Sequence, residues 1–135
     1  MAGYSGTPLP QKLGIKPGLN VVTINAPTNY CRLLGTIPEN VTFSDRLKAD
    51  SSFVHVFIKK RSELQKTLSV LRRKIAHTGT VWVSWPKKSS GVPVDVTEDV
   101  IRAVALPLGF VDVKVCAIDE TWSGLKLMVR KENRK

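Results

Sequence analysis

Several features are scarce in this sequence of 135 residues, and each scarcity excludes a class of protein. Cysteine occurs only at Cys31 and Cys116, too few for a disulfide-stabilised domain and without the paired spacing of zinc or redox motifs. No apolar run approaches the roughly 18 to 20 residues that span a bilayer, and the chain does not open on a basic segment followed by an apolar one. We therefore expect a soluble, cytoplasmic protein with no membrane association.

Acidic residues are also scarce beside basic ones. The chain has 21 Lys and Arg against 11 Asp and Glu, a net charge of +10, which attracts polyanions without proving that it meets one. Hydrophobic residues make up 42% and charged residues 24%, as in ordinary globular proteins. We expect one domain over residues 1–135, with an extended arm over 1–12 and a basic tail over 131–135.

Short apolar strands alternate with amphipathic helices along the chain. The predicted strands are Leu19–Ala26, Val41–Ser44, Phe53–Ile58, Thr80–Ser84, Val111–Ile118 and Leu125–Arg130. The predicted helices are Thr28–Leu34, a long helix with an apolar stripe at Leu64, Leu68, Leu71 and Ile75, and a helix from about Asp95 through Leu106. Ser62 with Gln65, and Asp95 with Glu98, have capping-box spacing. This alternation predicts an α/β fold with mostly parallel strands in a three-layer αβα arrangement, in which helices cover both faces of the sheet.

Two resemblances extend this pattern. Phe53–Lys131 resembles the second half of a class I adenosylmethionine-dependent methyltransferase fold, and LGIKPGLNVVTINAP at Leu13–Pro27 is similar to the lead-in to that fold's first strand. The resemblance implies a shortened Rossmann-like sheet of about six strands in the order 2-1-3-4-6-5, ending in an antiparallel hairpin. The whole chain also resembles a family of short bacterial proteins classed as a domain of unknown function, through the segments Gly3–Leu9, Asn25–Pro27, Trp82–Lys88 and Val115–Lys126.

This topology leaves one sheet face thinly covered. Right-handed crossovers put the two longer helices on one face, and the other receives only Thr28–Leu34 and the N-terminal arm. A mostly apolar sheet cannot leave that face wet, because each exposed Val or Ile forgoes roughly 1.5 to 3 kcal/mol of burial. We therefore expect a homodimer, or another protein on this face.

Glycine is missing where methyltransferases of this fold place a glycine-rich bend. No glycine follows the first strand before Gly35, and Pro27 and Tyr30 add stiffness and bulk there. We expect no cofactor, with adenosylmethionine in its usual pose disfavoured. Asp45, after the second strand, stands where such enzymes hold the ribose hydroxyls, although a lone Asp there is also typical of a turn.

Polar and aromatic residues converge at the carboxyl ends of the predicted strands, where open α/β sheets bind ligands. The candidate ligand-binding residues are Asn25, Asp45, Trp85, Lys87, Lys88, Ser89, Asp119, Glu120, Trp122 and Ser123. Each has a structural alternative: Trp85 can fasten its loop to the core, the lysines can be solvated, and Asp119 can cap a turn. No residues have the order of a catalytic triad, and neither His55 nor His77 indicates a metal site.

Three functions remain open at this point. A non-catalytic or regulatory module that binds a small ligand or a protein is our leading hypothesis, because the scaffold lacks the glycine bend and a matched acid, base or nucleophile. The alternative is an adenosylmethionine-dependent methyltransferase with an atypical cofactor loop. An anion- or nucleic-acid-binding protein is the third, supported by basic clusters such as Lys59–Arg61, Arg72–Lys74 and Arg130–Lys135.

Overall fold

The computed structural model describes residues 7–134, which form a six-stranded sheet with the order β2-β1-β3-β4-β6-β5. The strands are β1 (Asn20–Ile24), β2 (Thr42–Ser44), β3 (Ser51–Phe57), β4 (Ile75–Pro86), β5 (Phe110–Ala117) and β6 (Trp122–Val129). The first four strands pair in parallel, and β6 is antiparallel to both β4 and β5. The predicted α/β class, strand order and C-terminal hairpin are therefore confirmed.

Helices cover both faces of this sheet. They are α1 (Leu9–Leu13), α2 (Tyr30–Leu34), α3 (Arg61–Lys74) and α4 (Glu98–Leu108). On one face of the sheet, the apolar side chains of α3 and α4 pack against the strands and form a hydrophobic core, named the first core here. Its α3 residues Leu64, Leu68 and Leu71 are fully buried. Each such side chain contributes roughly 1.5 to 3 kcal/mol of burial, which fixes α3 against the sheet.

The two predicted capping boxes do not form, and Asp95 has a different role. The N–H of Arg61, at the start of α3, donates to Asp95 Oδ1 at 2.6 Å. The N-cap of α4 is Thr97, whose Oγ1 accepts from the N–H of Val100 at 3.2 Å. The first N–H groups of a helix have no partner within it, so Asp95 caps α3 from a distant segment instead of beginning α4.

The second face is covered by the chain itself, contrary to our prediction of a thinly covered face. On this face the helices α1 and α2 pack against the sheet and form a second hydrophobic core, named the second core here. Its four side chains from β1, β3 and β4 are at most 3% exposed, namely Val21, Phe53, Phe57 and Trp82. Trp82 Nε1 also donates to the backbone oxygen of Leu13 at 2.9 Å, which ties α1 to the sheet. A homodimer stays a prediction, but no bare sheet face in residues 7–134 requires one.

The N-terminal segment is not an extended arm throughout 1–12. Residues 1–6 lie outside the described residues, and α1 occupies Leu9–Leu13. Pro10 is tolerated because it lies in the first turn, where the N–H is unpaired in any case. Gly14, with φ +84°, ends the helix in the left-handed conformation that glycine adopts most readily.

The predicted basic tail folds back on the domain as far as the structure describes it. Lys131–Asn133 form a 3-10 turn, and Arg134 Nε donates to the backbone oxygen of Val129 at 2.9 Å. Residue 135 lies outside the described residues. Within residues 7–134, none of the helices has the length and apolar character needed to traverse a bilayer.

Candidate functional site

A crevice lies at the carboxyl ends of β1 and β3, where the strand order reverses. Since β2 lies beside β1 on one side and β3 lies beside it on the other, the connections diverge at this point. Open α/β sheets bind ligands at such switch points. The crevice has a volume of about 320 Å³ and is lined by Asn25, Pro27, Phe57, Lys59, Glu63 and Trp122.

The loop that leaves β1 bends at Asn25 without glycine. Asn25 has φ +58°, in the left-handed region that is costly for most residues but that asparagine tolerates. We predicted that the absence of glycine before Gly35 leaves this loop too stiff. The bend nevertheless forms without glycine, because Asn25 supplies the backbone conformation for which glycine is the usual residue.

Tyr30, which we expected to add bulk where a cofactor would lie, points instead into the second core. It is 5% exposed, and its Oη lies 2.9 Å from His55 Nδ1. On the other side of the ring, His55 Nε2 lies 2.7 Å from Ser84 Oγ. The three side chains therefore form a buried hydrogen-bonded chain that joins α2, β3 and β4.

Burial keeps the hydrogen-bonded chain of Tyr30, His55 and Ser84 uncharged. Burial lowers the pKa of His55 to about 3, so the imidazole is neutral near pH 7. A neutral imidazole has one donor and one acceptor nitrogen, which matches the two hydroxyls beside it. Burial also raises the pKa of Tyr30, with a further contribution from Cys31. Because His55 and Ser84 are fully buried, the chain positions other groups and offers no exposed nucleophile.

Two aromatic rings of the crevice are positioned by this buried chain. Phe57 stacks on His55, with the ring centroids 4.4 Å apart and the planes at 23°. Trp122 in turn meets Phe57 edge to face at 4.9 Å. The chain therefore holds Phe57, and Phe57 holds the half-buried indole of Trp122 at the apolar wall of the crevice.

Lys59 and Glu63 bring opposite charges to the same crevice. Lys59 follows β3, and its backbone oxygen accepts from the N–H of Asp95 at 3.1 Å. Glu63 lies in the first turn of α3, whose start the Asp95 carboxylate caps. Both charged side chains are exposed, and within residues 7–134 they form no ion pair with each other. A zwitterionic ligand would find a partner for each of its charges.

Two of the ten predicted site residues, Asn25 and Trp122, line the crevice. Asp45 is exposed directly after β2, which pairs in parallel with β1, so it lies at the same edge of the sheet.

Lys87 and Asp119 are hydrogen-bonded to each other, and neither residue lines the crevice. Lys87 Nζ donates to the backbone oxygen of Asp119 at 2.7 Å. Asp119 Oδ1 accepts from the N–H groups of Thr121 at 2.8 Å and Trp122 at 2.7 Å. Both residues therefore shape the connection between β5 and β6, and through it the position of Trp122.

The remaining five predicted site residues lie elsewhere. Trp85 is 8% exposed in the first core and, with Lys88, lines a separate cavity of about 280 Å³. Ser89 and Glu120 are exposed, and Ser123 pairs with Trp85 within the sheet. The structure does not bring these residues to the crevice.

Sequence reasoning missed Pro27, Phe57, Lys59 and Glu63 as crevice residues. The available signal was the end of the third strand, because parallel strands that neighbour each other end at the same edge of the sheet. Within residues 7–134, no three His, Cys, Asp or Glu side chains are grouped so as to hold a metal ion.

Comparison with known proteins gives matches of structure alone, since no family model and no curated protein matches the chain. A Sulfolobus solfataricus protein assigned to the type 11 methyltransferases is 14% identical, with a TM-score of 0.64 over 100% of this chain and 97% of that one. DhpI, solved as a complex with SAH, is 12% identical with a TM-score of 0.61 over 92% of this chain and 83% of its own. Fibrillarin of Aeropyrum pernix, solved with natively bound S-adenosyl-L-methionine, is 10% identical with a TM-score of 0.57 over 89% and 73% of the two chains.

These likenesses overturn two predictions. The leading hypothesis of a non-catalytic or regulatory module was wrong, because the neighbours include methyltransferases and favour the alternative that we kept. The expectation of no cofactor was wrong for the same reason, since two of the neighbours hold SAH or S-adenosyl-L-methionine. At identities of 14% or less the likeness establishes architecture, and the chain has the class I methyltransferase-like fold in a shortened, six-stranded form.

Proposed function

We propose that the protein is an adenosylmethionine-dependent methyltransferase with an atypical, glycine-free cofactor loop. The observation that carries this proposal is the crevice at the β1–β3 switch point of a methyltransferase-like fold, with its entrance loop bent at Asn25. A volume of about 320 Å³ lies within the range of small-molecule sites, roughly 300 to 1,000 Å³.

The crevice residues fit the chemical groups of adenosylmethionine. Lys59 would meet the carboxylate of its amino-acid portion and Glu63 the ammonium, as charge-assisted hydrogen bonds. Trp122, with the buried Phe57 behind it, offers apolar ring surface for the adenine or for the sulfonium, which an aromatic face attracts. Asp45, at the end of the neighbouring strand, would accept hydrogen bonds from the ribose hydroxyls.

The protein would contribute binding, orientation and exclusion of water. When bound, adenosylmethionine supplies an electrophilic methyl group on its sulfonium, and the scaffold places that group for transfer. Trp122 would limit the access of water to the bound cofactor, and the buried His55 chain holds the rings of Phe57 and Trp122 in place.

Calorimetric titration with adenosylmethionine and with its demethylated product tests the cofactor part. We expect saturable binding that weakens about tenfold or more in Lys59→Met and Glu63→Gln, since a hydrogen bond to a charged group contributes about 1.5 to 3 kcal/mol. The matched control is Lys66→Met, which changes an exposed lysine one turn after Glu63 on α3. This variant should bind like the wild type.

The bend itself is tested by a pair of substitutions at Asn25. Asn25→Gly keeps the left-handed conformation accessible and should retain affinity, whereas the β-branched Asn25→Val disfavours it and should lose affinity. An absence of binding at millimolar adenosylmethionine would reject the proposal. Binding without transfer of a labelled methyl group to any fraction of a cell extract would reject the catalytic part alone.

A further inference from the structure

Four lysines gather on the second face of the sheet, away from the residues that line the crevice. Lys114 of β5 and Lys126 of β6 are direct cross-strand partners. Lys126 is in turn the partner of Trp82 on β4, and Lys114 Nζ lies 6.0 Å from the centre of the Trp82 ring. A row of Trp82, Lys126 and Lys114 therefore runs across three adjacent strands.

The end of α1 and the loop after it add two more lysines to this row. Lys12 Nζ donates to the backbone oxygen of Ala117, the last residue of β5, at 3.2 Å. Lys16 lies close enough to act on Lys126, whose pKa is lowered by burial and then by the charges of Lys114 and Lys16. Lys12, Lys16, Lys114 and Lys126 are named the lysine cluster here.

The lysine cluster brings like charges together, and their repulsion destabilises the fold. Like charges directly opposite each other in an antiparallel ladder repel, and Lys126 is half-buried as well. None of its members forms an ion pair with a carboxylate of residues 7–134. The nearby carboxylate of Asp112 is paired with Arg102 of α4, at 2.9 Å, on the other face. An uncompensated positive surface of this kind is suited to an anionic partner.

The chemistry of the lysine cluster favours a phosphate backbone over an acidic protein. Lysine is a mobile point charge that meets phosphate without a fixed geometry, whereas protein interfaces are depleted in lysine and enriched in arginine. All four members are lysines. The net charge of +10 adds long-range attraction toward a polymer of regularly spaced negative charges.

A membrane-binding surface carries several apolar residues beside its charges, and within residues 7–134 only four large apolar side chains are exposed. Two exposed apolar residues, Val113 and Val115, flank Lys114 in the strand. Val113 is the extra residue at the register shift between β5 and β6, and Val115 points to the opposite face, because its partner Leu125 lies in the first core. Phe43, another exposed apolar side chain, lies on β2 at the far edge of the sheet.

We propose that the lysine cluster binds the phosphate backbone of a nucleic acid without regard to base sequence. This inference rests on surface residues that do not line the crevice, so it stands or falls separately from adenosylmethionine binding. The contacts would be charge–phosphate contacts of the kind that release counterions and weaken as salt is added.

Fluorescence anisotropy with a labelled random-sequence RNA and a random-sequence DNA duplex, titrated at several NaCl concentrations, tests the proposal. We expect Lys114→Gln/Lys126→Gln to weaken binding by about tenfold or more near 100 mM salt. The slope of log K against log salt should fall by about two, since each lost phosphate contact removes about 0.9. Lys66→Gln/Lys74→Gln removes the same charge from exposed positions of α3 and should leave both quantities nearly unchanged.

Thermal unfolding of the same variants separates loss of binding from loss of fold. Lys114→Gln/Lys126→Gln should melt at an equal or higher temperature than the wild type, because the change relieves the cross-strand repulsion. Equal loss of binding in both double variants would overturn the proposal, since net charge alone would then explain it. Cluster-dependent binding to phosphatidylserine vesicles with none to either nucleic acid would also overturn it.

Discussion

The buried histidine makes the stability of this protein depend on pH in a way that one substitution can isolate. His55 is fully buried between Tyr30 and Ser84, and its pKa of about 3 lies below the unfolded value of 6.5. The unfolded chain therefore binds the proton more readily, and the free energy of unfolding falls as the pH drops from 6.5 toward 3. Above pH 6.5 the imidazole is neutral in both the folded and the unfolded chain, so its titration takes nothing from the stability. At pH 5.0 the free energy of unfolding is lower by about 2 kcal/mol for this reason, since each pKa unit corresponds to about 1.4 kcal/mol.

The substitution that tests this reasoning is His55→Gln, which removes the titrating ring but keeps one donor and one acceptor. At pH 7.5 we expect it to be less stable than the wild type by about 1 to 3 kcal/mol, because the amide loses the stacking of the imidazole on Phe57 and fills the buried space less completely. Between pH 7.5 and 5.0 the difference between wild type and variant should narrow by about 2 kcal/mol, because only the wild type loses the His55 contribution.

Urea unfolding at pH 7.5, 6.5, 5.5 and 5.0, followed by tryptophan fluorescence, measures both stabilities. The difference between the two proteins cancels the carboxylates that titrate in the same range. His77→Gln removes the other histidine of the chain and keeps the buried hydrogen-bonded chain, so it should retain the steep loss of stability toward pH 5.0. A wild-type-to-His55→Gln difference that stays constant over this range would show that the imidazole is not held neutral.

Two further substitutions test the packing around the crevice. Asp95→Ala removes the cap of α3 and should lower the free energy of unfolding by about 0.5 to 2 kcal/mol in urea unfolding. The control, Glu120→Ala on the exposed hairpin tip, should change it by less than about 0.5 kcal/mol. Equal effects of the two substitutions would contradict the capping role of Asp95. Gly124→Ala should lower the free energy of unfolding by about 1 to 3 kcal/mol in the same assay. The reason is that an added Cβ would lie 3.0 Å from Ile118 Cδ1 and 3.2 Å from Trp82 Cε3 inside the second core. An unchanged unfolding midpoint would show that these side chains move aside freely.

Part of the candidate site could be predicted from sequence and part could not. Asn25 follows an apolar strand, and Trp122 lies in a polar connection between two strands, so both stand out locally. Phe57 reads as one more residue of a buried strand, and only its position between His55 and Trp122 makes it a wall of the crevice. The left-handed conformation of Asn25 was equally invisible, because an asparagine permits it without requiring it.

The architecture itself is a property that the sequence determined almost alone. Hydrophobic periodicity is local: the stripe of Leu64, Leu68 and Leu71 predicts its helix wherever that helix packs, and strand–helix alternation predicts a parallel sheet. The lysine cluster is the opposite case, since residues 12, 16, 114 and 126 belong to none of the basic runs in the sequence. Their convergence depends on the register between β5 and β6, where a slip of one residue would send Lys126 to the other face. Side-chain periodicity is encoded residue by residue, but the meeting of distant charges is decided only when the strands pair.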